Sequence, residues 1–88
     1  MSFNTLLSMR VFCTVAELRS FTAAAGKLNI AHSAVSKHVA MLERRLSTRL
    51  LNRTSRHVSL TETGEAYLEQ ARRILDSGDE VEESIRTT

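Results

Sequence analysis

Residues 20–43 read SFTAAAGKLNIAHSAVSKHVAMLE and contain two helical patterns separated by a short turn. Ser20 is a good N-cap for an alanine-rich helix over about residues 21–28, and Asn29 is suited to end it because asparagine tolerates the left-handed conformation. A longer amphipathic helix follows over residues 32–45, with Leu46 as its other possible last residue. This layout is typical of a helix-turn-helix, whose second helix enters the DNA major groove by its N-terminal end.

The longer helix has a core face and a small, cationic outer face. Its core positions repeat with spacing 4-3-4 and are Val35, Val39, Leu42 and Leu46. At about 100° per residue, the outer face holds Ser33, Ser36, Lys37, Ala40 and Arg44. The alternative function is a helical protein-interaction module that dimerises and binds no DNA, but such a helix should present apolar or aromatic anchors. The outer face has none, which favours DNA binding.

The composition of the 88 residues indicates one mostly helical domain. The chain has no proline and only three glycines, whereas strand-rich folds need more turn residues. A first helix is predicted over residues 5–18, with a core face at spacings of three and four that comprises Leu6, Met9, Phe12, Cys13 and Ala16. Cys13 is the only cysteine, so we expect a buried structural thiol, no disulfide within the chain and a reducing, cytoplasmic location.

The net charge of +2 conceals an uneven distribution. Residues 1–64 carry nine Lys or Arg against three Glu, a balance of +6, whereas residues 65–88 carry three Arg against seven acids, a balance of −4. A basic segment attracts a polyanion and an acidic one is repelled from it. We therefore expect different roles for the two parts of the chain. We assign residues 1–62 to one domain and residues 63–88 to a separate last helix.

Residues 51–60 have the pattern of a short hairpin. Residues 51–53 and 58–60 alternate with period two, and a polar connection joins them. Beside a helix-turn-helix, this hairpin is predicted to be the wing of a winged helix-turn-helix, with Arg53, Arg56 and His57 at or near its tip.

The last predicted helix runs over about residues 62–85, with Thr61 as its N-cap. An apolar seam with spacing 4-3-4-3-4 follows Tyr67, Ala71, Ile74, Gly78, Val81 and Ile85. A body of some sixty residues cannot cover so long a seam, so the helix is predicted to pair with a second copy of the chain. Antiparallel pairing would bring the acidic residues 79–83 of one copy towards Arg72 and Arg73 of the other.

Other classes of function find little support in the sequence. The three histidines lack the i,i+4 spacing of a helical metal site, and no cysteine cluster accompanies them, so we expect no metal. We find no phosphate-binding glycine loop and no nucleophile elbow, and so expect neither a catalytic site nor a cofactor. No apolar run is long enough to cross a bilayer.

The chain resembles the N-terminal region of LysR-type transcriptional regulators from about Leu6 to Leu75. The motifs that carry the resemblance stand in this order: Phe12, Val15-Ala16-Glu17, Ser20-Phe21-Thr22, Ala24-Ala25, Leu28, Ala34-Val35-Ser36-Lys37, Leu42-Glu43, Arg49-Leu50, Arg53-Thr54 and Leu60-Thr61-Glu62-Thr63-Gly64. The resemblance implies a winged helix-turn-helix followed by a long dimerisation, or linker, helix. It also implies a dimer on double-stranded operator DNA, with tetramer formation left open, and an effector site in a further domain rather than in these residues.

The helix-turn-helix pattern and the family resemblance together assign roles to particular residues. We expect base contacts from Ser36 and Lys37 and, with equal weight on a purely structural role, from His32 and Ser33. Thr22 is expected to hold a phosphate at the start of the second helix, with helix capping as its alternative role. Arg53 and Arg56 are expected at phosphates or the minor groove, although Arg53 has a competing interpretation as a salt-bridge partner of Glu43 or Glu62.

Five positions depart from the family pattern, and one of them is Ser33, which replaces a common Pro. Ala31 replaces the usual capping Ser, which predicts a weaker cap, and His32 replaces the common Gln. Ser47 replaces the usual Gly and Leu51 the usual Phe, and both are expected to be local packing changes.

Overall fold

The computed structural model describes the backbone of residues 5–53 and 57–86 and the side chains of residues 5–53 and 57–78. The elements follow in the order α1 (Thr5–Leu18), α2 (Phe21–Leu28), α3 (His32–Leu46), β1 (Leu51–Arg53), β2 (Val58–Leu60) and α4 (Glu62–Arg86). This order confirms the predicted fold class, mostly helical with a small hairpin before a long last helix. The predicted Arg56 contact falls on residues outside this description.

Helix α1 is the centre of the core, because it packs against α2, α3 and α4. Val11, Phe12 and Val15 are fully buried, and Cys13 is buried as expected. The prediction for Leu6 is wrong, since its side chain is 56% exposed. Leu6 lies in the first turn of α1, whereas the segment 11–16 is buried without a break. The predicted single core face omitted Val11, Thr14 and Val15, which are also buried because three other helices surround α1.

The helix-turn-helix has the predicted caps. The Ala23 N–H donates to the Ser20 hydroxyl at 3.0 Å, which starts α2 at Phe21. Asn29 ends α2 in the left-handed conformation with φ 58° and ψ 46°, and its N–H donates to the carbonyls of Ala25 and Gly26. The N-cap of α3 is Ala31, whose side chain has no group for a cap bond, and the weaker cap stays a prediction.

The end of α3 corrects two expectations. Leu46, predicted in the core, is 44% exposed, because it is the last helical residue and lies at the edge of the helix bundle. Ser47 is also exposed, so the change from glycine is not a packing change. It concerns the backbone, because Ser47 has φ 53° and ψ 39°, a left-handed conformation that glycine adopts with less strain. Leu51, in contrast, is fully buried and does belong to the packing.

The two-stranded sheet joins α3 to α4. β1 and β2 pair antiparallel in the register Leu51 with Leu60, Asn52 with Ser59 and Arg53 with Val58. Thr61 caps α4 as predicted, since its hydroxyl accepts from the Gly64 N–H at 2.9 Å and donates to the Arg49 carbonyl at 2.7 Å. The start of α4 is thereby bound to the loop that precedes β1.

Candidate nucleic-acid interface

Helix α3 presents its predicted outer face to solvent. Val35, Val39 and Leu42 are buried against the rest of the domain. Ser33 and Lys37, on the opposite side, are exposed, and Ser36 is half-buried between the two sides. A helix held by one apolar face, with Ser33, Lys37 and Arg44 exposed on its cationic face, has the form required for entry into a DNA groove.

Thr22 lies in the first turn of α2 and is exposed. Because Ser20 already supplies the cap, the Thr22 hydroxyl is not needed for that purpose. The N–H groups of a helix start, together with an exposed hydroxyl, form a suitable site for a phosphate oxygen.

Arg53 of β1 is held by Glu43 of α3. The Arg53 guanidinium Nη2 lies 3.3 Å from Glu43 Oε1, with the arginine side chain 35% exposed and the glutamate side chain 12% exposed. The other carboxylate oxygen of Glu43 accepts from the N–H groups of Leu50 and Leu51, at 2.9 and 3.2 Å. Glu43, not Glu62, is thus the salt-bridge partner, and it binds the start of the wing to α3.

Phe21 was missed by sequence reasoning and connects three elements. The Arg53 guanidinium carbon lies 5.2 Å from the centre of the Phe21 ring, a cation–π contact. The ring of His32, the first residue of α3, lies 6.1 Å from the same centre at a tilt of 36°. The sequence held two signals, a place in the Ser20-Phe21-Thr22 motif and an aromatic residue directly after an N-cap, but neither indicated contacts with Arg53 and His32.

The remaining histidines lie apart from this group. His38 Nδ1 is 2.7 Å from the hydroxyl of Ser8, a fully buried residue of α1. His57 is exposed just before β2. Within residues 5–53 and 57–78, no three His, Cys, Asp or Glu side chains are grouped closely enough to hold a metal ion. In the part of the chain that the structure describes, no helix has the length and apolarity that crossing a membrane requires.

Cys13 is a buried thiol with a raised pKa. Burial, with a smaller contribution from the charge of Glu17, raises the pKa of its thiol to about 11. The thiol is therefore protonated at physiological pH and is a poor nucleophile. The prediction of a buried structural thiol is confirmed.

The predicted dimerisation seam divides between two environments. Tyr67 packs edge-on against Phe12 with ring centres 5.4 Å apart, and burial raises the pKa of its hydroxyl. Ala71 is 1% exposed within the core of its own chain, so its assignment to a subunit interface is corrected. Ile74, one turn further, is 46% exposed. The side chains of Val81 and Ile85 lie outside the described part of α4.

Arg72 and Arg73, the basic residues of the predicted antiparallel pairing, have acidic neighbours within their own chain, and antiparallel pairing stays a prediction. Arg72 pairs with Glu17 of α1 at 3.2 Å, and Arg73 pairs with Glu69 one turn earlier in α4 at 3.3 Å. Both arginines thus have acidic partners within their own chain. The prediction of antiparallel pairing had assigned them to acidic residues of a second copy.

The helix-turn-helix, its caps and the adjoining hairpin define a winged helix-turn-helix. The family model of the bacterial regulatory helix-turn-helix proteins, lysR family, matches residues 6–65. The chain belongs to this family.

Similar proteins agree with the assignment. The HTH-type transcriptional activator AaeR of Escherichia coli (strain K12) is 42% identical over 80 residues, which are 91% of this chain and 26% of that protein. A solved complex of BenM DBD with catB site 1 DNA has a TM-score of 0.88 at 35% identity and covers 93% of this chain and 91% of that one. A CbnR DBD–DNA complex has a TM-score of 0.85 at 33% identity, with 93% and 94% coverage. The chain spans about a quarter of the length of the curated relatives it matches.

Proposed function

We propose that this chain binds double-stranded operator DNA sequence-specifically, as the DNA-binding part of a transcriptional regulator. Helix α3 enters the major groove and the hairpin over residues 51–60 lies on the backbone or in the minor groove. The observation that carries the proposal is the exposed, cationic outer face of α3 beside the wing. Membership of the family and the likeness to two DNA complexes support it.

The residues divide into readers and anchors. Ser33, Ser36 and Lys37, with His32 beside them, read base edges, because their hydroxyl, ammonium and imidazole groups match acceptors and donors in the major groove. Phosphate contacts come from Thr22, Arg53 and Arg56. Exposure of Ser33 and Lys37 and the partial exposure of Arg53 support these roles.

Selection of bound fragments from random duplex DNA tests the function directly. We expect an interrupted palindrome, because a two-fold dimer places its two helices on two half-sites. Affinity for that site should fall steeply with salt, by about 0.9 logarithmic units per tenfold rise for each neutralised phosphate. If no sequence is enriched at low salt, the proposal is wrong.

Replacement of Lys37 separates base reading from general attraction. Lys37→Ala should lower discrimination at particular base pairs by about 1–3 kcal/mol, because a specific contact is lost there. Lys27→Ala is the matched control, since Lys27 is exposed but faces the groove between α1, α2 and α4. It removes the same charge and should change only the overall affinity. Equal, sequence-independent losses in both variants would remove Lys37 from the readers.

A second part of the proposal concerns α4. We propose a functional division in which residues 1–62 carry the DNA contacts and residues 63–88 carry the contact between two subunits. Ile74, Val81 and Ile85 supply the seam beyond the part of α4 that packs on its own domain. The exposure of Ile74 supports this division, and a tetramer of a longer protein is compatible with it.

Ile74→Asp tests the subunit contact. A charge in an apolar seam should shift the chain to monomers in sedimentation and weaken operator binding, because burial of a large apolar side chain contributes about 1.5–3 kcal/mol. Leu18→Asp, at a 40% exposed apolar position of α1, is the control and should remain dimeric. An unchanged dimer of Ile74→Asp would place the interface elsewhere.

The proposed function implies a regulatory role and a cellular location. The curated relatives are transcriptional regulators, and we infer the same role, rather than an enzymatic one, for this chain. A bacterial regulator meets its operator in the cytoplasm, and we place the protein there.

A further inference from the structure

The ring of Phe21 lies where the two proposed DNA-contacting elements meet. It is half-buried at the first position of α2, and it packs on the core through part of its surface. The guanidinium of Arg53, from the wing, and the imidazole of His32, from the start of α3, both contact this ring. One side chain thus touches the first residue of the recognition helix and the last residue of β1.

Arg53 is held in this position from two sides. Glu43 supplies a carboxylate 3.3 Å from the guanidinium, and Phe21 supplies the face of a ring at 5.2 Å from the guanidinium carbon. Glu43 is itself anchored by two backbone N–H groups, so the arginine has little freedom.

The side chain of His32 is less constrained by its neighbours than that of Arg53. It is exposed, and the N-cap before it makes no side-chain bond to the helix. The contact with the Phe21 ring is the interaction that the structure describes for this imidazole. The position of Phe21 is in turn set by the Ser20 cap, which starts α2 at this residue.

We infer that Phe21 is a positioning residue for base readout: its ring orients the His32 imidazole towards the groove and ties that orientation to the wing through Arg53. This inference rests on the proposed function. His32 is thereby a specificity-determining side chain whose contribution depends on Phe21, although Phe21 itself touches no base. Readout by Ser36 and Lys37 does not pass through this ring.

The test compares Phe21→Leu with Phe21→Tyr. Leucine retains apolar packing on the core but removes the aromatic face, whereas tyrosine retains the ring. First, His32→Ala identifies the base pair at which discrimination depends on His32. At that base pair, Phe21→Leu should lower discrimination about five- to tenfold, the lower range for one base contact. Phe21→Tyr should retain the discrimination of the wild type. Discrimination at pairs that depend on Lys37 should not change.

A double variant and a spectroscopic measurement complete the test. In a His32→Ala background, Phe21→Leu should cause no further loss at that pair, because coupled residues are not additive. In the free protein, the His32 ring-proton resonances should carry a ring-current shift that disappears in Phe21→Leu and persists in Phe21→Tyr.

The outcomes separate the two proposals. A uniform loss of affinity in Phe21→Leu, or a loss that adds fully in the His32→Ala background, would reduce Phe21 to a structural residue. Unchanged His32 resonances in Phe21→Leu would overturn the positioning contact alone, without DNA in the experiment. Failure of the wild-type chain to select any duplex would overturn the proposed function and the readout role together, whatever the resonances show.

Discussion

Gly64→Ala should destabilise the domain by about 3 kcal/mol, the upper range for adding atoms to a packed interior. A Cβ at Gly64 would overlap the carbonyl group of Leu50, which is main chain and cannot rotate away. The same carbonyl accepts the Thr61 N–H at 3.0 Å, so its displacement also breaks the junction between the wing and α4. Since whole domains are stable by only about 5–15 kcal/mol, this is a large share. Urea unfolding would measure the loss as a lower midpoint.

Gly26→Ala provides the matched control for this experiment. A Cβ at Gly26 meets nothing within 4 Å, and the residue lies inside α2, where alanine is favoured over glycine by about 0.5–1 kcal/mol. The same chemical change should therefore stabilise the protein at one position and destabilise it at the other. Equal effects at both positions would show that α4 does not approach the Leu50 carbonyl as described.

Glu43→Ala should cost about 2–6 kcal/mol, because it removes the acceptor of two main-chain N–H groups at about 1–3 kcal/mol each. Leu50 and Leu51, whose N–H groups are concerned, are fully buried. The salt bridge to Arg53 is lost as well, so the wing should lose its fixed position relative to α3. Thermal unfolding gives the stability change, and amide exchange at Leu50 and Leu51 locates it.

Two further variants show whether the acceptor or the charge matters. Glu43→Gln keeps one oxygen acceptor and should fall between the wild type and Glu43→Ala. Glu69→Ala breaks the exposed pair with Arg73, where both side chains are about two-thirds exposed, and should change stability by less than about 0.5 kcal/mol. A Glu43→Ala loss no larger than that of Glu69→Ala would contradict the buried role of this carboxylate.

Much of the candidate site could be predicted because its signals are local. The outer face of α3 follows from the angle between successive residues, and the exposure of Ser33 and Lys37 agrees with it. The individual DNA contacts stay predictions, including that of Arg56. The salt-bridge interpretation of Arg53 is confirmed, but the sequence left two glutamates open as partners, because their distances in space depend on how the hairpin packs on α3.

The sequence by itself determined the elements and their ends. The capping bonds of Ser20, Asn29 and Thr61 span three or four residues, and the spacing of apolar residues in α3 marks its inner face without knowledge of its neighbours. These interactions are short-range, so the order of residues specifies them.

Only the tertiary structure decided which surfaces are covered and which side chains meet. Ala71 faces α1 rather than a partner, Leu6 and Leu46 extend beyond the packed bundle, and Phe21 receives contacts from residues 11 and 32 positions away along the chain. Burial and ring contacts depend on how close the helices and the hairpin come to one another. A periodic pattern shows which face of a helix is apolar, but not how far the neighbouring elements extend over it.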